Sequence, residues 1–292
     1  MPPRPLRIGA AQFASAIGDV DANVEIHLDW IARGRAAGLD LLVLPEVSLT
    51  GQYGADDLLA AAMSWRDPRL KRLSEAAGGM AVVVGFVEEG AAAQFYNSAA
   101  ILKDGGIVHL HRKVNPPTYG RLEEGKHYAA GRFVETWPVD QDWRVGLLIC
   151  ADVWNPALTH LAFLHGATLL ICPVSSGIEA VGAEFDNPAG WALTMRFYSM
   201  IYGAPSVMVN RTGIERGLTF WGGSRILDAF GHELAVAGAE PGMIVAELDY
   251  GQVRKARFLL PTVRDSNVAL VHRETTRLIE RLGVPAFLRS DG

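Results

Sequence analysis

Gly38-Leu39-Asp40-Leu41-Leu42-Val43-Leu44-Pro45 and Gly166-Ala167-Thr168-Leu169-Leu170-Ile171-Cys172-Pro173 read alike. In each, a glycine follows a helix-like stretch, a short apolar run comes next, and a proline closes it. Glycine ends a helix there because it accepts the left-handed backbone that other residues resist. An apolar run with no polar alternation suits a strand covered on both faces. Two equivalent helix–glycine–strand–proline units point to a sandwich of two matched halves.

Outward from these units, strand-like and helix-like segments alternate. Residues 6–13 read as a strand. Asp19 or Asp21 caps a helix with Val24, Leu28, Ile31 and Ala32 on one face, stopped by Gly38. Asp67-Pro68 opens a helix ended by Gly78-Gly79, residues 80–87 form a strand, and residues 99–103 and 107–113 flank a hairpin turn at Asp104-Gly105-Gly106. Further strands fall at 143–150, 168–172, 205–210 and 243–249. Helices fall at 156–165 and from Asn187-Pro188 to Gly203, a hairpin spans 224–237, and a last helix covers 273–282. The alternation predicts a layered α/β fold. No linker or composition break divides the chain, so residues 1–292 read as one domain, with about 255–292 as a C-terminal tail.

Of the 292 residues, 49% are hydrophobic and 20% charged, which excludes collagen, coiled coil and wholesale disorder. The net charge is −5, and no basic run exceeds the Arg112–Lys113 pair, which argues against nucleic acid and anionic membrane as partners. No apolar stretch approaches the ~20 residues of a membrane span. Two cysteines and an N-terminus without a signal-type apolar core predict a cytoplasmic protein with reduced thiols.

Several patterns imitate functional motifs. Gly120-Arg121-Leu122-Glu123-Glu124-Gly125-Lys126 approaches a phosphate loop, but His127 replaces the required hydroxyl and two carboxylates stand where amides should cradle phosphate. His109 and His111 share a strand face but lack a third ligand at metal-site spacing, so they read as hairpin-edge histidines. Asn210-Arg211-Thr212 matches a glycosylation sequon without the secretory context, and Glu88-Glu89 reads as a solvated turn.

Three segments set a reactive residue where a strand gives out. Leu44-Pro45-Glu46 presents a carboxylate and His111-Arg112-Lys113 an amine. Gly146-Leu147-Leu148-Ile149-Cys150-Ala151-Asp152-Val153-Trp154 delivers a thiol just before a helix. Taken singly, the glutamate and the lysine suit any solvated strand end. The cysteine turn is like a nucleophile elbow, where helix-start amides lower a thiol pKa and can bind an oxyanion. Cys172 precedes Pro173 with no helix start, so it reads as core packing.

Glu46, Lys113 and Cys150, in that order, resemble the Glu–Lys–Cys triad of the nitrilase (carbon–nitrogen hydrolase) superfamily. The likeness runs from Ile8-Gly9-Ala10-Ala11-Gln12 through Leu44-Pro45-Glu46-Val47-Ser48-Leu49-Thr50-Gly51 and His111-Arg112-Lys113 to Cys150-Ala151-Asp152-Val153-Trp154 and Asn210-Arg211-Thr212-Gly213. The resemblance implies a four-layer α-β-β-α sandwich, paired into homodimers or larger homo-oligomers, with the tail packing on a partner subunit. It also implies a second glutamate after the lysine, a place that falls on Glu124, with Glu123 one residue away. The implied chemistry is amide hydrolysis through a cysteine thioester. Lys113 favours the thiolate, Glu46 moves the proton, Lys113 and the Ala151 amide hold the oxyanion, Glu124 stays ionised and orients Lys113, and neither metal nor cofactor is needed.

Relatives acting on nitriles carry Trp-Glu after the cysteine, and carbamoylases carry an arginine shortly beyond it. Here Ala151-Asp152 and Val153-Trp154-Asn155 occupy those places. The Cys-x-Asp-x-Trp pattern is similar to amidases and to the glutaminase domains of NAD synthetases, whose ATP-pyrophosphatase domain the sequence does not contain. A small-molecule amidase is the expectation, with a carbamoyl-amide hydrolase or nitrilase as alternatives, and a silent interaction protein on the same fold as the rival of another class. Tyr53, Tyr119, Trp154 and Trp191 are candidate pocket walls, though Trp191 shares a core-like stripe with Met195 and Tyr198. Cys150→Ala is expected to abolish hydrolysis with the fold intact, whereas Cys172→Ala keeps most activity. Equal loss in both, at unchanged circular dichroism, would refute the choice of nucleophile.

Overall fold

The computed structural model of the protein describes residues 4–51, 55–215 and 217–282. The chain lays down β1 (Leu6–Gln12), β2 (Leu41–Val43), β3 (Ala81–Glu89), β4 (Phe95–Lys103) and β5 (Gly106–Arg112) in a first sheet. A second sheet takes β6 (Thr136–Pro138), β7 (Arg144–Leu147), β8 (Leu169–Pro173) and β9 (Ser206–Val209). After a separate hairpin of β10 (Thr212–Glu215) and β11 (Leu218–Trp221), β12 (Arg225–Leu227) and β13 (Glu233–Val236) complete the second sheet, and β14 (Gly242–Leu248) returns to the first. The helices are α1 (Val20–Ala36), α2 (Ala55–Ala61), α3 (Pro68–Ala77), α4 (Pro156–Leu164), α5 (Asn187–Tyr202), α6 (Tyr250–Leu259) and α7 (Val268–Leu282).

The two halves match. In the first sheet β1, β2 and β3 run parallel with β2 in the middle, and in the second β7, β8 and β9 run parallel with β8 in the middle. The two similar sequence units are therefore the central strands of equivalent sheets. Side-chain alternation builds the layers. Leu41 and Val43 face the second sheet in one core, while Leu42 and Leu44 pack with Val24, Ile31, Leu70 and Leu73 of α1 and α3 in another. Helices α4 and α5 cover the second sheet, giving the order helix, sheet, sheet, helix. Both faces of β2 are thus dry, which is why its residues are all apolar.

Several boundaries move. Regular pairing in β7 stops at Leu147, because the backbone beyond bends into a single 3₁₀ turn, Cys150–Asp152. Strand β4 starts at Phe95 rather than 99, since the polar Asn97 and Ser98 still pair with β3. Helix α5 is capped by Asp186, one residue before Asn187, and α7 begins at Val268, five residues before the expected 273. Sequence periodicity missed α2, α6, β6 and the β10–β11 hairpin, all short or weakly patterned. Glu88 is not in a solvated turn. It is fully buried at the end of β3, accepting hydrogen bonds from Ser98 Oγ (2.7 Å) and Arg112 Nε (2.8 Å). His111 stands on the edge strand β5 of its hairpin, as expected, with its side chain buried.

The turn after β2 lies across β3. Val47 has φ +44°, a strained value for a β-branched residue. Gly85 makes the crossing possible: a Cβ there would sit 2.4 Å from Val47 N and 2.7 Å from Pro45 O. From outside, α1 pins the same turn, with Asn23 Nδ2 donating to Leu49 O (3.0 Å) and His27 Nε2 2.9 Å from Ser48 Oγ. Burial pushes His27 down to about 4, so its ring is neutral, with Nδ1 donating to the Asn23 carbonyl at 2.6 Å. The methyl of Gly85→Ala meets backbone that cannot swing aside, so the variant should lose about 1–3 kcal/mol in urea denaturation. An unchanged midpoint would mean the turn is not held against β3.

Candidate active site

Three strand ends converge between the sheets. Cys150 follows β7 with φ +44°, a left-handed conformation on a non-glycine residue, and its side chain is buried with 7% of the residue exposed. Glu46 hangs from the turn after β2, and Lys113 directly follows β5, its N–H donating to Asn97 O at 2.8 Å. Glu124 comes from the short 3₁₀ turn Glu124–Lys126. Lys113 Nζ donates to Glu46 Oε1 at 2.7 Å and lies 2.8 Å from both oxygens of Glu124. Glu46 Oε2 accepts the Ser175 amide at 2.6 Å, and Asn97 Nδ2 reaches Glu46 Oε1 at 2.8 Å. The lysine and Glu46 are thus shut away from water, each in contact with charged or hydrogen-bonding partners.

One carboxylate ties the lysine strand to the cysteine turn. Asp152, fully buried, accepts the Val114 and Asn115 amides on Oδ1 (2.9 and 2.8 Å), and the Ile149 amide and His111 Nε2 on Oδ2 (3.0 and 2.9 Å). Asn115 Nδ2 adds a bond to Ala151 O at 3.1 Å. The elbow of the second sheet and the β5 terminus of the first are therefore held in one register.

Electrostatics corrects two expectations. The Cys150 thiol is not poised as a thiolate: burial pushes it well above the ordinary range, Glu46 pushes the same way, and Lys113 only partly opposes them. Burial works against the Lys113 ammonium, but Glu124 and Glu46 outweigh it and raise the lysine well above its usual value. Burial also raises Glu124 to about 7 against the pull of Lys113, so this carboxyl titrates near neutrality instead of staying ionised throughout. The site thus sets a thiol raised by burial beside a carboxylate and a buried ammonium.

The remaining candidates scatter around this centre. Ala151 follows the thiol inside the one-turn helix. Tyr119 is half-exposed, pushed up to about 12 by burial and by the Cys150, Glu124 and Glu46 groups, with Lys113 opposing. Trp154 is partly exposed, edge-on to Trp191 (5.0 Å) and Phe185 (5.9 Å). Trp191 is buried in the core beneath Trp154, its Nε1 donating to Ser176 Oγ at 3.3 Å, so it backs the wall instead of lining it. Tyr53 lies outside the described residues. Glu123 is exposed and paired with Lys126, and Cys172 is fully buried in β8. Among the described residues, no group of three or more His, Cys, Asp or Glu could hold a metal ion. Sequence reasoning missed Asn97, the Ser175 amide and the Asp152–His111 clamp. A polar residue leading an apolar strand, as Asn97 does, was the available signal.

The carbon-nitrogen hydrolase family model matches residues 7–258. An (R)-stereoselective amidase from Pseudomonas sp is 32% identical over 92% of this chain and 94% of its own length. A glutamine-dependent NAD(+) synthetase from Thermotoga maritima is 28% identical over 89% of this chain, which spans only 45% of that protein. Among solved structures, a carbon-nitrogen hydrolase from Helicobacter pylori G27 superposes with a TM-score of 0.82 at 22% identity, covering 91% of this chain and 97% of the other. That likeness speaks for the fold.

The two neighbouring glutamates give a sharp test. Glu124→Gln misplaces the ammonium and should lower kcat/KM on the order of 10²–10³-fold, the usual loss for one oxyanion donor. Glu123→Gln should be nearly neutral. The reverse pattern would shift the register of this loop by one.

Proposed function

The chain belongs to the carbon-nitrogen hydrolase family, and from that premise we propose that it hydrolyses a small-molecule amide to carboxylate and ammonia or amine through a thioester on Cys150. The observation that carries the reading is the Lys113 ammonium held by Glu46 and Glu124 at 2.7–2.8 Å beside the cysteine elbow. As sulfur attacks the amide carbon, Glu46 takes the thiol proton, which a neutral buried thiol requires. The tetrahedral oxyanion rests on Lys113 and the Ala151 amide. Glu46 then gives the proton to the departing nitrogen, the C–N bond breaks, and the thioester remains. Water, deprotonated by Glu46, adds to the thioester and expels the Cys150 sulfur, which regains its proton. Glu124 holds Lys113 in place through both halves.

The Pseudomonas amidase supports a free amide as substrate, because it matches this chain nearly end to end. Aromatic walls at Tyr119 and Trp154 suit an apolar acyl or amine portion. Both sheets feed one centre, which supports reading the chain as one domain. We also read the protein as a cytoplasmic homo-oligomer. The chemistry needs a reduced thiol, and Leu193 of α5, Phe258 of α6, and Ile279 and Leu282 of α7 expose apolar surface that a second copy would cover. Among the described residues, no helix is long and apolar enough to cross a membrane.

A panel of amides, carbamoyl amino acids and nitriles, read by ammonia release, tests the substrate class. Amide turnover should dominate, and turnover of nitriles alone would overturn the reading. Glu46→Gln should be inactive, with little acyl adduct on Cys150 by intact mass. Because Glu124 is raised to about 7 by burial, the proton it carries below that pH weakens its hold on Lys113. kcat/KM should therefore rise with pH through an apparent pKa near 7 that belongs to the carboxylate pair. A flat profile from pH 5 to 8 would contradict this.

A further inference from the structure

Asn97 lies in β4, opposite Val87 of β3, with its side chain buried against the triad. Its Nδ2 is 2.8 Å from Glu46 Oε1 and 3.3 Å from Glu124 Oε2, and its backbone oxygen accepts the Lys113 amide at 2.8 Å. The amide orientation follows from chemistry: ionised carboxylates can only accept, so the NH₂ must face them. Its Oδ1 is buried and without a hydrogen-bond partner among the described residues, an unfavourable state for a polar atom. A site that tolerates this has a use for the two donors.

We propose that Asn97 is the positioning residue that keeps the carboxylate pair charged, one NH₂ donating to Glu46 and Glu124 at once, and so sets the pH at which the enzyme switches on. The charge count shows the need. Two carboxylates and one ammonium leave the buried cluster one negative charge in excess, and Glu46 Oε1 already shares Lys113 with Glu124. Among the described residues, the titratable groups facing the cluster are Lys113 at the end of β5, the Cys150 and Cys172 thiols, and the Tyr119 and Tyr128 phenols, on which the cluster charges act. Of these only Lys113 is cationic, so the remaining stabilisation of negative charge comes from neutral donors: the Ser175 amide for Glu46, and Asn97 for both. Hydrogen bonds to an ionised carboxylate favour that form, and Asn97 pulls Glu124 downward against its burial.

The proposal rests on the Glu46–Lys113–Cys150 reading above. It is tested with Asn97→Leu, which keeps the branching at Cγ but has no donor, and Asn97→Asp, which keeps shape but adds a third carboxyl. For each, kcat/KM and the rate of Cys150 alkylation by iodoacetamide are measured against pH. The acid limb of both should move up by roughly one pH unit in Asn97→Leu, about tenfold slower below it, with the high-pH plateau largely kept. Asn97→Asp should move it further. A uniform drop at every pH with the limb in place would reduce Asn97 to a packing residue and overturn the proposal, as would an unchanged profile. If Asn97→Leu does not fold, the isosteric Asn97→Asp decides on the same criterion. Wild-type protein that forms no acyl adduct on Cys150 would instead refute the underlying mechanism, and the alkylation profile still reports on Asn97.

Discussion

A lysine ammonium removed from water must find its charge answered on every side, and the architecture around Lys113 supplies that answer. Burying an ion costs several kcal/mol unless partners are already in place, so Glu46, Glu124 and the donors behind them must be held rigidly. Each has its own anchor. Glu46 sits on a strained turn laid over Gly85, Ser175 offers a backbone amide, and Asn97 spans both carboxylates. None of these alone would keep the ammonium charged; together they make it a fixed positive point.

The thiol is subject to the same field in the opposite sense. Burial and the adjacent Glu46 hold Cys150 protonated, so reactivity is not stored in a resting thiolate. In the proposed mechanism it is released when a substrate carbonyl arrives, proton transfer to Glu46 begins, and the growing oxyanion meets Lys113. A neutral resting nucleophile also resists stray alkylation and oxidation, both of which follow thiolate character.

The two-sheet sandwich makes such a site economical. Parallel strand triplets in each half end on the same side, and polar residues just past those ends meet across the gap between sheets. Asp152 locks the halves together with four accepted hydrogen bonds, so the cysteine turn and the lysine strand cannot drift independently. The clamp sits two residues beyond Cys150, which couples folding of the elbow to docking of the first sheet.

The sequence by itself pointed to the layers: the all-apolar runs 41–44 and 169–172, each between a glycine and a proline, suit strands covered on both faces. Cys150 follows an apolar strand in the same local way, whereas Glu46 and Lys113 look like ordinary strand ends and were singled out by the order of motifs that resembles carbon–nitrogen hydrolases. Tertiary structure decided what depends on distance in space. Glu88 resembles a solvated strand end until Arg112 and Ser98 are brought to it, and Asp152 is one letter of a motif until four donors from two sheets converge on it. Asn97 precedes the stretch that reads as strand, and only antiparallel pairing with β3 extends β4 to include it and turns its amide onto both carboxylates. The charge states of Cys150 and Glu124 were likewise out of reach, because burial, which sequence does not display, is the largest influence on both. Short-range pattern fixes which residues end strands; long-range packing fixes which of them share a charge.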